Sequence, residues 1–418
     1  MIRLKIDGNR TLTGTIRVSG AKNSAVALIP ASILADDVVT IDNVPNISDI
    51  EALDEILRYL GAEVKMDGSV MTIDPSTIEN KEIPESVSTK LRASYYFMAA
   101  LLGKYKKVEM YFPGGCNIGK RPIDQTLKAF RALGAVVEEV DNKYRITADE
   151  LVGNEIYLDM PSVGATINAI LASSKAKGET IIYNAAKEPE IVNVATFLNN
   201  MGANIKGAGT SEIRIIGVEH LHGCFTEVIP DRIEAGTYVL AGALVGDNLK
   251  VDNLIPDHIE ALLNKLREMG VNMRVNKDNV IISKTDNLKP VSIKTLGYPG
   301  FATDLQQPIT TLLTKCNGIS KLEETIYENR FQNIEYLNKL GANIELVNDR
   351  NIKVNGPSKL VGTLVKATDL RAGACLVLAG LAAEGQTIIE DGHHILRGYE
   401  NIQNKLNDVG AKLTIEEI

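Results

Sequence analysis

The hydrophobic pattern of the chain recurs six times. Each copy closes an amphipathic helix at a glycine, usually in the phrase Leu-Gly-Ala, and then continues into strands with apolar residues at alternate positions. The glycines are Gly61, Gly134, Gly202, Gly270, Gly341 and Gly410, spaced by 68–73 residues. Because the phrase and the period repeat together, they indicate six copies of one structural unit.

Each repeat has the same predicted order of elements. A short opening strand leads into a helix of small apolar residues, and a middle strand, an amphipathic helix and two closing strands follow. The predicted small-residue helices lie at residues 24–35, 93–103, 166–178, 237–248, 309–318 and 374–385. We therefore predict an α/β protein of two similar domains. Each domain contains three repeats of roughly 70 residues, with the apolar helices inside.

The ends of the chain predict the domain boundaries. The sixth repeat stops at Ile418 without its second closing strand, while the N-terminal strand IRLKI has no repeat of its own. We expect residues 1–20 to complete the last repeat. One domain is then 21–229, and the other is 1–20 plus 230–418. Two chain crossings would join them, which predicts a cleft that opens and closes.

Composition narrows the class of protein. The net charge of −8 disfavours a nucleic-acid or membrane partner, and no apolar run is long enough for a membrane span. MIRLKIDGNR is not a signal peptide, so a cytoplasmic location is expected. Four scattered cysteines without metal-ligand spacing predict neither disulfides nor a metal site. The oligomeric state is not determined by the sequence, and a monomer is favoured.

Polar residues interrupt the pattern where each small-residue helix begins. A helix N-terminus suits anions, although Asp and Ser there are also ordinary caps, and capping is favoured for Ser162 and Asp231. Cations at such positions oppose the helix dipole and require a ligand or a partner. The interrupting residues are Lys22, Asn23, Arg92, Ser162, Gly164, Asp231, Arg232, Asp304, Asp369 and Arg371.

A second polar group follows the middle strands and includes Arg330 and Arg397. Several arginines at repeat-equivalent positions suggest a substrate with phosphate and carboxylate groups, which arginine binds bidentately. For any one of these arginines, a solvated surface ion pair is the competing interpretation.

The segment PGGCNIGKRPID, residues 113–124, is an insertion into the second repeat. Gly103 and Gly134 are 31 residues apart, whereas the equivalent distance in three other repeats is 23–24. Inserted Gly-rich loops are usually exposed and often functional. Lys120 and Arg121 would lower the thiol pKa of Cys116, so a reactive thiol is predicted rather than a small core residue. The other three cysteines are predicted to lie in the core.

These segments together resemble the UDP-N-acetylglucosamine 1-carboxyvinyltransferase family. The resemblance runs the full length through SGAKNSA, LRAS, PGGCNIGKRPID, SVGAT, EPEIVN, PDRIEAGT, YPGFATDLQ, YENRF, ATDLRAGA and RGYE. It implies a pair of inside-out α/β domains with three repeats each. It also implies transfer of the enolpyruvyl group of phosphoenolpyruvate to the 3-hydroxyl of UDP-N-acetylglucosamine with release of phosphate, the first committed step of peptidoglycan synthesis. No cofactor or metal is implied.

The resemblance also implies residue roles. Cys116 would protonate the methylene carbon, Asp304 would accept the sugar proton, and Asp369 would be conformationally important. Lys22, Arg121 and Arg397 would hold the phosphate, and Arg330, Arg371 and Arg397 the carboxylate. Asn23 would orient the intermediate. The positions matching nucleotide-sugar contacts are Arg92, Arg121, Pro122, Ile123, Asp124, Gln125, Ser162, Val163, Gly164, Asp304 and Ile326.

Three positions depart from the family pattern. Gln125-Thr126 stands where many members have Leu-His, and Met160 stands where a Lys is frequent. These departures bear on the uridine contacts and on the rate of turnover, but not on the core reaction.

Three different functions remain open beside the implied one. They are a shikimate-pathway enolpyruvyl transferase, a catalytically silent nucleotide-sugar sensor and a thiol-dependent phosphatase. The inserted Cys loop and the SVGAT segment argue against the first, and the intact Lys22, Cys116, Asp304 and Arg397 argue against the second. The Cys116–Arg121 spacing, one short of C-x5-R, argues against the third.

Overall fold

The computed structural model describes residues 2–114 and 123–417 of the 418-residue chain. These residues divide into two compact lobes. The first lobe contains residues 20–114 and 123–229, and the second contains residues 2–19 and 230–417. Each lobe has its own apolar core, as expected of an independently packed domain.

The strands, in chain order, are β1 (Ile2–Asp7), β2 (Leu12–Arg17), β3 (Val39–Asp42), β4 (Glu63–Asp67), β5 (Val70–Asp74), β6 (Lys107–Tyr111), β7 (Val136–Val140), β8 (Lys143–Thr147), β9 (Glu155–Tyr157), β10 (Glu179–Tyr183), β11 (Asn204–Lys206), β12 (Glu212–Ile216), β13 (Phe225–Glu227), β14 (Gly246–Asp252), β15 (Met273–Val275), β16 (Asn279–Ile282), β17 (Ser292–Lys294), β18 (Gly318–Glu323), β19 (Ile344–Asn348), β20 (Asn351–Gly356), β21 (Leu364–Lys366), β22 (Gln386–Glu390) and β23 (Leu413–Glu417).

The α-helices, in chain order, are α1 (Lys22–Ala31), α2 (Ser48–Leu60), α3 (Glu85–Ser88), α4 (Tyr96–Tyr105), α5 (Asp124–Ala132), α6 (Val163–Ser173), α7 (Pro189–Asn200), α8 (Arg232–Val245), α9 (Glu260–Met269), α10 (Gln306–Leu313), α11 (Asn333–Lys339), α12 (Leu370–Ala382), α13 (His393–Leu396) and α14 (Ile402–Asn407). Single 3₁₀ turns lie at Ser32–Leu34, Arg92–Tyr95, Pro256–Ile259 and Thr303–Leu305. No helix of the described residues is long and apolar enough to cross a membrane.

The strands form three small sheets in each lobe, one per repeat. In the first lobe the strand orders are β13-β3-β5-β4, β6-β8-β7 and β11-β12-β10-β9. In the second they are β15-β16-β14-β2, β17-β18-β20-β19 and β21-β22-β1-β23. The closing strands of each repeat pair antiparallel, as in the hairpin of β4 and β5. The predicted α/β architecture of two lobes with three repeats each is confirmed.

The N-terminal segment serves two repeats rather than one. β1 pairs with β22 and β23, so it fills the sheet of the sixth repeat as predicted. β2 was expected there too, but it pairs in parallel with β14 of the fourth repeat. In turn β13, the opening strand of the fourth repeat, pairs in parallel with β3 of the first. The opening strands of these two repeats are therefore exchanged, which local sequence does not reveal.

The small-residue helices are buried, and the amphipathic helices are buried on one side. Every residue of α12 is buried, and α12 packs against α8 and α10 within the second lobe. In α2 the buried residues include Ile50, Leu53 and Leu57, which share one helix face. The predicted position of the apolar helices inside is thus confirmed for these elements.

The six repeat glycines share one backbone conformation. All six have φ between 84° and 107°, the left-handed conformation that costs most side chains free energy. In α2 and α9 the glycine directly caps the helix C-terminus. The phrase that identifies the repeats is therefore a helix stop selected by backbone geometry.

Two of the three cysteines assigned to the core are buried, Cys316 and Cys375, and Cys224 is only half-buried at the core edge. Burial raises the thiol pKa of each to about 11. Thiolate, the nucleophilic form, is therefore scarce at these positions at neutral pH.

Candidate active site

In the second lobe, two arginines from separate segments of the chain meet one carboxylate. Asp304 lies in the 3₁₀ turn Thr303–Leu305 before α10, Arg330 follows β18, and Arg371 lies in the first turn of α12. Arg330 Nη2 donates to Asp304 Oδ1 (2.8 Å) and Arg371 Nη2 donates to Asp304 Oδ2 (3.1 Å). Both arginines are almost fully buried, and the Asp304 side chain is 26% exposed. We call these three residues the Asp304 cluster.

The electrostatics of the Asp304 cluster favour ionised groups. Burial alone would raise the pKa of Asp304, but the charges of Arg371 and Arg330 outweigh it and hold this pKa well below its usual range. Burial likewise opposes the charge of Arg371, yet Asp304 raises the Arg371 pKa above its ordinary value. A carboxylate held this way is a weak base until something else draws the arginines away.

Arg371 is oriented by a buried tyrosine. Arg371 Nη1 donates to the Tyr399 hydroxyl (3.2 Å), and that hydroxyl lies 2.8 Å from Thr237 Oγ1 on α8. The Arg371 guanidinium also lies 5.7 Å from the centre of the Tyr399 ring. Arg397, on the same segment, directly follows α13 and is partly buried. Tyr399 was not identified as a site residue from the sequence, although it belongs to the RGYE segment.

Arg330 is held from its other side by a hydroxyl. Arg330 Nη1 donates to Thr303 Oγ1 (3.0 Å), and Thr303 Oγ1 donates to Glu324 Oε2 (2.8 Å). Glu324 is completely buried and also accepts from the backbone N–H of Ile326 (2.7 Å). Ile326, a predicted nucleotide-sugar contact, has a side chain that is partly exposed. Neither Thr303 nor Glu324 was singled out from the sequence.

Two acids and one serine at helix N-termini are caps. Asp231 Oδ1 accepts from the N–H groups of Ile233 (2.8 Å) and Glu234 (2.9 Å), and Asp369 Oδ1 accepts from those of Arg371 (2.8 Å) and Ala372 (3.1 Å). Ser162 Oγ accepts from Ala165 N–H at 3.3 Å. The capping interpretation of Ser162 and Asp231 is confirmed. Asp369 also caps α12 and so fixes the turn that carries Arg371.

A capping role for Asp369 predicts a graded effect on stability. Asp369→Ala should lower the free energy of unfolding by about 1 kcal/mol, while Asp369→Asn should change it by only a few tenths, because Asn caps as well as Asp. Urea denaturation followed by circular dichroism measures both. Asp231→Ala, at the equivalent cap of α8, is the matched comparison. A loss with Asn as large as with Ala would show that the charge, not the cap, stabilises the turn.

The first lobe supplies a second basic position at a helix start. Lys22 begins α1, and its Nζ lies 3.0 Å from Asp49 Oδ2 on α2, with both side chains largely buried. The predicted need for a compensating partner is met inside the lobe by Asp49. Asn23 is the next residue of α1 and is partly buried. Asp49 was missed, although an acid beside Ile50 on the buried face of an amphipathic helix is a usable signal.

Two predicted sugar-nucleotide segments meet at Tyr95. The Arg92 guanidinium lies 5.7 Å from the centre of the Tyr95 ring, within cation–π distance. At the start of α6, a methyl group in place of a hydrogen on Gly164 would overlap the Tyr95 hydroxyl. Val163 precedes Gly164 and is partly buried. The glycine of SVGAT is thus required by close packing against a residue of the LRAS segment, which the sequence alone did not indicate.

Gln125 and Met160, two of the positions that depart from the family pattern, lie close together through Asp159. Gln125 Nε2 donates to Asp159 Oδ2 (3.0 Å), and Gln125 Oε1 accepts from Asp159 N–H (2.8 Å). Asp159 directly precedes Met160, which is 62% exposed, while Thr126 is buried. Gln125 therefore ties the start of α5 to the segment before α6. Ile123 and Asp124 precede Gln125, the first buried and the second exposed.

The remaining predicted site residues, Cys116, Arg121 and Pro122, lie outside the described residues. Their roles stay predictions. Among the described residues, Asp304, Arg330 and Arg371 meet in one cluster. Lys22 pairs with Asp49, and Arg92 and Gly164 both lie against Tyr95. The other predicted positions are not part of these three contacts.

Similar sequences extend over the whole chain. A family model described as EPSP synthase (3-phosphoshikimate 1-carboxyvinyltransferase) matches residues 6–406. A protein of Geobacillus kaustophilus (strain HTA426), named UDP-N-acetylglucosamine 1-carboxyvinyltransferase 2, is 54% identical over 423 residues, which cover 100% of this chain and 99% of that protein. A protein of the same name from Bacillus subtilis (strain 168) is 52% identical over 424 residues, with 100% and 99% coverage.

Solved structures share the fold. The enolpyruvyl transferase NikO from Streptomyces tendae superposes with a TM-score of 0.90 at 28% identity, covering 99% of this chain and 98% of that one. An EPSP synthase from Acinetobacter baumannii gives a TM-score of 0.77 at 18% identity, with full coverage of both chains. The second likeness concerns the fold alone.

Proposed function

The chain belongs to the EPSP synthase family and, within it, to the UDP-N-acetylglucosamine 1-carboxyvinyltransferases, and we propose from this that it transfers the enolpyruvyl group of phosphoenolpyruvate to the 3-hydroxyl of UDP-N-acetylglucosamine. The observation that carries the proposal is the Asp304 cluster, in which one carboxylate is bonded to two buried arginines. This arrangement supplies a base and two carboxylate-binding groups at one place.

The proposed reaction is an addition followed by an elimination. In the addition, Cys116 gives a proton to the methylene carbon, the sugar oxygen bonds to the neighbouring carbon, and Asp304 takes the hydroxyl proton. In the elimination, the new methyl group returns a proton to the Cys116 thiolate, the carbon–carbon double bond re-forms, and the carbon–oxygen bond to phosphate breaks. The departing phosphate takes up the proton held by Asp304. The products are the enolpyruvyl ether and inorganic phosphate, so no electrons are gained or lost.

The Asp304 cluster suggests how the base is activated. Arg330 and Arg371 are bonded to Asp304, which keeps its pKa low. A substrate carboxylate that takes over these two guanidinium donors would leave Asp304 with fewer cationic neighbours, so its pKa would rise. Asp304 then becomes a stronger base when phosphoenolpyruvate is bound, with Arg397 as a further anion-binding group.

The first lobe supplies some of the residues proposed to bind the phosphate and the nucleotide sugar. Lys22 is held by Asp49 at the start of α1, where the partial positive charge of the helix N-terminus also favours an anion. Arg121 and Arg397 are proposed to bind the phosphate as well. Asn23, the next residue, would orient the intermediate. Arg92, residues 121–125, Ser162 to Gly164, Asp304 and Ile326 are proposed to contact the nucleotide sugar.

Phosphate release tests the proposal. Purified protein with phosphoenolpyruvate should release inorganic phosphate only when UDP-N-acetylglucosamine is also present, because the sugar hydroxyl is the acceptor of the enolpyruvyl group. A coupled colorimetric phosphate assay, with mass spectrometry of the nucleotide product, measures both products. Release that is independent of the sugar nucleotide would sink the transferase proposal and favour a phosphatase.

The same assay distinguishes the proposed enzyme from a shikimate-pathway transferase and from a silent sensor. Replacement of the sugar nucleotide by shikimate 3-phosphate should give no phosphate, whereas a shikimate-pathway enzyme would release it. A silent sensor would bind UDP-N-acetylglucosamine in calorimetry without any turnover. The 52–54% identity to carboxyvinyltransferases named for the nucleotide sugar favours the first reaction. We further propose a cytoplasmic enzyme that acts as a monomer.

A further inference from the structure

Glu324 is a buried carboxylate at the edge of the Asp304 cluster with no role in the proposed chemistry. It follows β18 and its relative exposure is 0%. Its Oε1 accepts from Thr295 Oγ1 (2.9 Å) and from the N–H groups of Ile326 (2.7 Å) and Tyr327 (3.2 Å). An isolated buried carboxylate is costly, and hydrogen bonds of this number compensate for that cost. The Glu324 carboxylate is therefore held in one position within the second lobe.

The second oxygen of Glu324 is connected to the Asp304 cluster through the hydroxyl group of Thr303. Thr303 has one hydroxyl proton and gives it to Glu324 Oε2 (2.8 Å), so its lone pairs face the other way and accept from Arg330 Nη1 (3.0 Å). The next nitrogen of the same guanidinium, Nη2, donates to Asp304 (2.8 Å). The hydrogen bonds thus run in one direction, from Arg330 through Thr303 to Glu324.

We propose that Glu324, acting through Thr303, is a positioning residue that sets the guanidinium plane of Arg330. The inference rests on the proposed function, since it assigns Arg330 to the carboxylate of phosphoenolpyruvate. Without the Thr303 acceptor, only one of the two terminal nitrogens of Arg330 keeps its hydrogen bond, so the guanidinium plane is less firmly set. Glu324 does not contact the reacting atoms in this scheme. Its effect is on the affinity for phosphoenolpyruvate.

Threonine substitutions provide the sharpest test. Thr303→Val has nearly the same shape but no hydroxyl, and we expect it to raise KM for phosphoenolpyruvate about 10-fold, the loss of one hydrogen bond to a charged group. The KM for UDP-N-acetylglucosamine should stay unchanged, because the backbone N–H groups of Ile326 and Tyr327 still donate to Glu324. Thr303→Ser keeps the hydroxyl and should restore the wild-type KM.

Two further variants separate positioning from general damage. In Glu324→Gln, the amide oxygen can take the place of Oε1 and accept from its three donors, so the amide nitrogen faces Thr303. This nitrogen is a donor, so the Thr303 hydroxyl can no longer donate to residue 324 and must reorient. We therefore expect the KM for phosphoenolpyruvate to rise in this variant too. Thr295→Val removes a donor from the other oxygen of Glu324 and should cost thermal stability without raising KM for phosphoenolpyruvate. An equal rise in Thr295→Val, or no rise in Thr303→Val, overturns the proposal.

A readout without substrate keeps this test separate from the proposed function. If Thr303 positions Arg330 against Asp304, then Thr303→Val and Asp304→Asn should lower the urea midpoint non-additively, since the second change removes a contact that the first has already loosened. Additive losses would overturn the positioning role even in a chain that proved to be an active transferase. Non-additive losses in a chain without transferase activity would support positioning and sink the function alone.

Discussion

Asp304→Asn is expected to lower kcat by about 1,000-fold, within the usual range for loss of a positioned general base. Asn has nearly the same shape, but its single oxygen can accept from only one of Arg330 and Arg371, and it cannot take the sugar proton. Steady-state phosphate release with saturating substrates measures the change. An Asp304→Asn enzyme with wild-type kcat would show that another group removes the proton.

The same variant should be less stable than wild type at neutral pH, by about 3 kcal/mol, because the buried charges of Arg330 and Arg371 lose their counter-ion. The pKa of Asp304 is lowered in the folded chain, so its stabilising effect is present above the unfolded pKa of about 4 and is lost as the pH falls further. The difference between wild type and Asp304→Asn should therefore shrink on acidification below that pH.

Asp286→Asn is the matched control for these measurements. Asp286 lies in the same lobe, its side chain is 75% exposed, and its partner is the exposed Lys284. Surface ion pairs of this kind contribute little, so this variant should match wild type in kcat and in its pH profile of unfolding. A pH profile altered equally in both variants would contradict the special role of the buried cluster.

Cys116→Ala is the second variant with a large expected effect, a fall in kcat of about 100-fold to 10,000-fold from loss of the proposed general acid. The thiol also predicts a covalent reaction. Fosfomycin, an epoxide with a phosphonate group, should be opened by the Cys116 thiolate, which forms a sulfur–carbon bond while the epoxide oxygen takes up a proton. Intact mass spectrometry should show one adduct, and peptide mapping should place it at Cys116.

Cys224→Ala provides the control for the thiol. Cys224 is half-buried and burial raises its pKa to about 11, so it should contribute little thiolate at neutral pH. The Cys224→Ala protein should form the adduct at the wild-type rate, and Cys116→Ala should form none. An adduct at Cys224, or an unmodified wild-type chain, would contradict the assignment of the inserted loop.

The relation between sequence and structure differs between the repeats and the site. The small-residue helices, the amphipathic helices and the left-handed glycines were predictable because each depends on neighbours within a few residues. The exchange of β2 and β13 between the sheets of the first and fourth repeats was not. Both are short strands that mix apolar and polar residues, and either sheet would satisfy their backbone hydrogen bonds.

The candidate site shows the same division residue by residue. Asp304, Arg330 and Arg371 were each identified as polar interruptions, and the resemblance assigned their roles. Thr303 and Glu324 gave no such signal, since a threonine beside Asp304 and an acid after a strand are ordinary in sequence. Their role depends on two hydrogen bonds, from Arg330 to Thr303 and from Thr303 to Glu324, and only the fold brings these three residues together.

The sequence by itself determined the number of repeats, the small-residue and amphipathic helices and the family resemblance, and it predicted the reactive side chains. These properties follow from local periodicity, backbone preference and residue chemistry. Only the tertiary structure decided which charges compensate one another, such as Lys22 with Asp49 and Asp304 with two arginines. The physical reason is that pairing and burial set the energy of a charge, and both depend on contacts between segments far apart in the chain.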